Sequence, residues 1–161
     1  MKGYYPKKFK ESVHKFLSQP EQTDLLRKND LDTLFSKLYA SEDLNGIAGI
    51  VYVTELLYDN GFLVEKYVTN AYQAQFRHID REIIYLPKCK SIDHFSFAHN
   101  EHVKEVIAPN VTFVGAFAFE DCENLHRVDL SNATSISKTA FERCESLAAD
   151  NIKTPRDCNW F

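Results

Sequence analysis

The C-terminal half of the chain repeats itself every 22 residues without a gap, and no other feature limits the fold so tightly. Phe97, Phe119 and Phe141 share one column. Ile92, Val114 and Ile136 share a second, Val103, Leu125 and Leu147 a third, and Ile84, Val106 and Val128 a fourth. Leu86, Ala108, Leu130 and Ile152 extend the pattern to four units, and Asn100, Cys122 and Cys144 form a further column. Agreement across this many columns excludes chance. A unit this short cannot bury an apolar face alone, so the units must stack into a solenoid.

The clearest line within a unit is Leu125, Val128 and Leu130, an LxxLxL pattern. Its counterparts are Val103, Val106 and Ala108 before it and Ile84 and Leu86 at the start. The period of two along a strand turns these residues inward and leaves Ile83, Tyr85, Glu105, Ile107, Arg127, Asp129 and, in the last unit, Asn151 facing outward. Strands of successive units then pair into a parallel sheet, as in solenoids of the leucine-rich kind.

Beyond the strand each unit reads I-x-x-x-(A/S)-F-x-x-(C/N)-x-x-L: Val114, Ala118, Phe119, Cys122 and Leu125 in one unit, Ile136, Ala140, Phe141, Cys144 and Leu147 in the next. On these residues the segment 81–152 resembles the BspA-like leucine-rich repeats of bacteria and their phages. Asn100 stands where that pattern has cysteine. Asp150 stands where it has an apolar strand residue, so the fourth unit is expected to be a frayed edge or cap rather than a full rung.

Residues 7–70 carry helical spacing instead. Phe9, Val13, Phe16 and Leu17 mark one amphipathic helix, and Pro20 ends or restarts it. Leu25, Leu26, Leu31, Leu34, Phe35 and Leu38 indicate one or two more, with Asp30 as an N-cap. Residues 47–58 read as a more buried helix stopped at Asn60 and Gly61, and residues 62–72 as a last short one. The stretch 54–61 resembles the helical heads of small leucine-rich-repeat proteins of phages and prophages. The expected fold class is therefore α+β: a helical head over residues 1–78 capping a solenoid of about three and a half repeats over residues 79–161. Trp160 and Phe161 are expected to fold back over the last rung, or else to lie exposed for a partner.

Candidate chemistry is sparse. There is no G-x-S-x-G, HExxH or P-loop, and the five glycines form no phosphate loop. His94, His99 and His102 fall in polar repeat columns, which reads as a solvated surface and not a metal site. Cys122 and Cys144, one period apart, read as a packing ladder of free thiols. Asn110 and Asn132 match glycosylation sequons but share a turn column, where asparagine bonds its own backbone. No catalytic residue, metal or cofactor is expected.

Hydrophobic residues at 44% exclude a disordered chain, and a net charge of −4, spread over both halves, disfavours nucleic acid. The basic, aromatic start (Lys2, Tyr4, Tyr5, Lys7, Lys8, Phe9, Lys10) keeps a nucleic-acid role as an alternative. No stretch reaches the roughly 20 apolar residues of a membrane span, and no apolar leader opens the chain, so a cytoplasmic location is expected. The expectation is a non-enzymatic module that binds a partner protein through Tyr85, Glu105, Ile107, Arg127, Asp129 and Asn151. An inhibitor of a bacterial defence enzyme such as a nuclease, anti-CRISPR-like and carried by a phage or prophage, is the narrower alternative that the resemblance implies. The open end of a short solenoid also allows a homodimer.

Overall fold

The computed structural model describes residues 5–62, 64–73 and 75–161, with only the backbone of Ile47. The chain divides into two compact units, Met1–Val64 and Glu65–Phe161.

Among the described residues, the first unit contains four helices: α1 Lys7–Leu17, α2 Pro20–Arg27, α3 Leu31–Ala40 and α4 Ile47–Asp59. Pro20 restarts rather than ends the helical run. It sits in the first turn of α2, where its fixed φ suits a helix and its missing N–H costs nothing. Asp30 caps α3 by accepting the Thr33 amide at 3.2 Å and the Thr33 hydroxyl at 2.8 Å. α4 is buried along Ile50, Val51, Tyr52, Val53 and Leu57, and its one deeply buried hydroxyl, Thr54, donates to the Ile50 carbonyl at 2.8 Å. Gly61, at φ +86°, ends the segment in the left-handed conformation that glycine adopts without penalty.

The expected helix over 62–72 is instead one 3₁₀ turn, Val64–Tyr67, followed by a strand. That strand opens the second unit ahead of the 78/79 division read from the sequence.

Among the described residues, nine short strands build the second unit: β1 Asn70–Ala71, β2 Ile83–Tyr85, β3 Ser91–Ile92, β4 Glu105–Ile107, β5 Phe113–Val114, β6 Arg127–Asp129, β7 Ser135–Ile136, β8 Ile152–Lys153 and β9 Asn159–Trp160. They form two parallel sheets rather than the single one anticipated. Sheet A runs β1-β3-β5-β7-β9 and sheet B runs β2-β4-β6-β8. Each coil thus contributes one strand to each sheet and a turn; the sheet B strand has three residues in the first three coils and two in the fourth. Four coils begin at β2, β4, β6 and β8, with β1 ahead of them.

The central coils keep the 22-residue register: Ile84 pairs with Val106, and Val106 with Val128. The outer steps do not. Asn70 pairs with Ser91, one residue short, while Val128 pairs with Ile152 and Ser135 with Asn159, two residues long. Ile152 therefore continues the Val128 column and not the Leu130 column. Asp150 and Asn151 fall in a 3₁₀ turn, Ala149–Asn151, ahead of β8. The fourth coil is a full one, contributing a strand to each sheet, because the two extra residues are absorbed in that turn.

Inside the coils the columns close into a buried, mostly apolar core. Phe97 and Phe119 are fully buried. Phe76, Phe97, Phe119 and Phe141 stack nearly parallel with centroids 4.9, 4.7 and 5.1 Å apart, and Trp160 tilts onto Phe141 at 6.3 Å. Beside them, Cys122 donates its thiol to the Phe97 carbonyl at 3.2 Å and Cys144 to the Phe119 carbonyl at 2.9 Å. Asn100 fills the same column one coil earlier and does more. Its amide donates to the carbonyls of Phe76 at 2.7 Å and Ile79 at 3.0 Å, and its oxygen accepts the amides of His102 and Val103. Asparagine stands where cysteine would because this turn leaves four backbone groups to satisfy in place of one.

Candidate protein-binding face

Strand alternation sets the outer face of sheet B. Ile84, Val106 and Val128 are fully buried, so their strand neighbours point outward. The register aligns these neighbours in two rows. One row holds Ile83, Glu105 and Arg127; the other holds Tyr85, Ile107, Asp129 and Lys153. The rows change character along the stack. Ile83 and Tyr85 are 57% and 45% exposed, unusual for large apolar groups on a strand, and Ile107 beside them is half-buried. Farther along, Arg127 lies 3.6 Å from Glu105 and Lys153 lies 3.6 Å from Asp129, so each basic residue leans back onto the preceding coil. Asp129 also accepts the Ser131 amide at 3.1 Å.

Of the six expected binding residues, the structure brings Tyr85, Glu105, Ile107, Arg127 and Asp129 onto one face. Asn151 is not among them: it is exposed in the 3₁₀ turn before β8, and Lys153 takes the outward place in the last strand. The sequence signal for Lys153 was masked by the two-residue lengthening of that coil.

The other candidates resolve locally. His99 and His102 diverge: His102 pairs with Asp80 at 3.2 Å, and His99 lies 3.1 Å from Asp121. His99, Glu120 and Asp121 come close enough together to suggest a cation site. However, the Arg143 guanidinium already reaches both carboxylates, at 2.6 Å to Glu120 and 2.6 Å to Asp121, and this holds the Asp121 carboxyl below the usual range. Cys89, Cys122 and Cys144 are buried free thiols. Burial pushes Cys89 and Cys144 up to about 11, and Cys122 upward as well, so none is a ready nucleophile. Asn110 and Asn132 do not bond their own turns. They donate to Pro87 and Pro109 of the preceding coil at 2.7 and 2.6 Å, which makes them rivets between coils. Phe161 stacks on Phe113 at 6.0 Å, so the C-terminal aromatics lie along sheet A, each still partly exposed.

In the helical unit Lys7, Lys8 and Lys10 are exposed on the first turn of α1, while Lys2 and Tyr4 lie outside the described residues. Tyr5 packs on Tyr52 at 4.5 Å, and its hydroxyl is pushed well above the usual range by burial and by Glu55. A cleft of about 270 Å³ in the same unit is lined by His14, Leu17, Leu26, Leu56, Leu57, Asn60 and Phe62. Its histidine, His14, lies 3.2 Å from the Tyr52 hydroxyl through Nε2. No helix among the described residues is long and apolar enough to cross a membrane.

Residues 69–159, more than half of the chain, match the family model for the BspA type leucine rich repeat region (6 copies). The chain belongs to the BspA-type leucine-rich repeat family. The match begins beside β1 and ends at β9, so the family's repeats and the two-sheet coils are the same object. BspA-type repeats are a solenoid architecture, and solenoids as a class work by presenting an extended surface to another macromolecule. Neither the curated proteins nor the solved structures contain a match to this chain.

Proposed function

We propose that the protein is a non-enzymatic interaction module that grips a partner protein with the outer face of sheet B, with Tyr85, Ile107 and Arg127 as anchors. The observation that carries this reading is the exposure of Ile83 and Tyr85 on adjacent outward positions of a regular strand. Nothing in the packing of the sheet requires large apolar groups there, since the inner columns alone complete the core. Tyrosine and arginine are also the side chains that most often dominate binding energies. The narrower reading, an inhibitor that occludes a bacterial defence enzyme, would use the same face; restored phage plating in a defence-bearing host tests it.

A photocrosslinking residue placed at 85 or at 107 should yield one identified protein adduct that is absent when the probe is moved to 135, on sheet A. With the probe moved to 105 on the same face, Tyr85→Ala with Ile107→Ala should abolish the adduct while costing less than about 1 kcal/mol of stability, as surface changes usually do. Adducts of equal yield at 85, 107 and 135, or collapse of the double variant, would remove the face from consideration.

A further inference from the structure

The ionic side chains on the sheet B face differ in reach. Those of Arg127 and Lys153 are 66% and 68% exposed, whereas their partners Glu105 and Asp129 are only 21% and 24% exposed. The carboxylates are recessed, and Asp129 already accepts the Ser131 amide. The cations protrude, and each meets its partner at 3.6 Å, an ion pair too long to be a hydrogen bond. Most donors of the guanidinium and ammonium groups are therefore left for something outside. At the margin of the face, the acidic Glu82 lies ahead of its strand and is bound by Lys104 at 2.7 Å. Asp150 lies in the turn before β8. Neither stands in the outward rows.

The face thus has two halves. The first two coils offer Ile83, Tyr85 and Ile107, and the last two offer protruding cations. We infer that it takes an extended segment of the partner protein in which an apolar residue is followed by carboxylates. This rests on the reading above and adds the chemistry of the partner. Coils stack about 4.8 Å apart, so Arg127 and Lys153 stand roughly 10 and 14 Å from Tyr85 along the stack. An extended chain advances about 3.3 Å per residue, which puts the acids roughly three to four residues beyond the apolar anchor. Arg127 can hold a carboxylate through two parallel N–H donors, and Lys153 adds a second charge.

Fluorescence polarisation with the full chain tests this. The probe is a labelled dodecapeptide in which a leucine–phenylalanine pair is followed, three residues on, by a glutamate–aspartate run. Controls replace the acids by their amides or by lysine. The acidic peptide should bind, and its affinity should fall about tenfold or more on neutralisation, with rising salt, or in Arg127→Glu/Lys153→Glu, as charge-complementary contacts do. Equal binding of acidic and amide peptides, with sensitivity to Tyr85→Ala/Ile107→Ala, overturns the acidic partner and leaves the face as a binding site. Preference for the lysine peptide overturns it in the same way. Acidic binding that ignores both double variants places the contact elsewhere and overturns the inference. Absence of peptide binding overturns it too, and if the crosslinks at 85 and 107 are also absent, the underlying reading falls with it.

Discussion

Sheets A and B are built on the same kind of inner column and diverge on their outer ones. Inside sheet A the residues are Ala71, Ile92, Val114 and Ile136; inside sheet B they are Ile84, Val106 and Val128, and all are fully buried. Outside, sheet A carries Asn70, Ser91, Phe113, Ser135 and Asn159. These are mostly short polar groups; Ser91 donates to Asn70 at 3.0 Å, and the one large residue, Phe113, stacks with Phe161. Sheet B carries tyrosine, isoleucine, arginine and lysine with much of their surface in water. Stacking constrains only the inner columns, so the outer ones are free to differ: sheet B carries large exposed groups within its rows, whereas along sheet A the exposed aromatics, Trp160 and Phe161, stand at its last strand.

The sharpest way to break this contrast is to strike a column that both sheets share. Phe119→Ala removes the centre of the aromatic stack and should destabilise the solenoid by about 3–5 kcal/mol, read by denaturant titration. A loss below about 1 kcal/mol would mean the columns are not the common foundation. Asn100→Ala should cost roughly 2–3 kcal/mol, because buried carbonyls and amides lose their partner. Asn100→Cys should recover part of that loss, since Cys122 and Cys144 each satisfy one carbonyl from the same column.

Gly115 sharpens the comparison on the sheet A side alone. A Cβ there would stand 2.8 Å from the backbone nitrogen of His94 in the preceding coil. Gly115→Ala should therefore cost about 1–3 kcal/mol by overpacking, seen as a lowered Tm. The smallest effect belongs to the exposed ionic turn. Because Arg143 lowers the Asp121 pKa, that pair adds stability above the ordinary aspartate range and loses it as pH falls through the lowered value. Arg143→Ala should flatten this acid limb slightly, by lowering stability a little at neutral pH and leaving it nearly unchanged once Asp121 is protonated.

The central coils were legible because their period is unbroken and each column keeps one chemistry. Both ends were harder, for a physical reason. At the start, a step one residue short hid Phe76 and β1, whose own residues, Asn70 and Ala71, carry little hydrophobic signal. At the finish, two extra residues moved Ile152 into another column, which put Asn151 wrongly on the sheet. The second sheet escaped notice because two-residue strands show no alternation to read. Exposure of Ile83, Tyr85 and Arg127 followed from alternation alone, whereas the unequal reach of cations and carboxylates depends on side-chain geometry that no spacing encodes.

The 22-residue step has a consequence for how such a surface can change over time. The amide of Leu86 bonds the Ile107 carbonyl at 2.8 Å, and that of Ala108 bonds the Asp129 carbonyl at 2.9 Å, so each coil offers its successor the same sockets. Duplicating residues 104–125 inserts a coil that finds every backbone partner waiting. The binding footprint would lengthen by one row with the hydrophobic interior unchanged, so new specificity can arise by tandem copying before any single residue is refined.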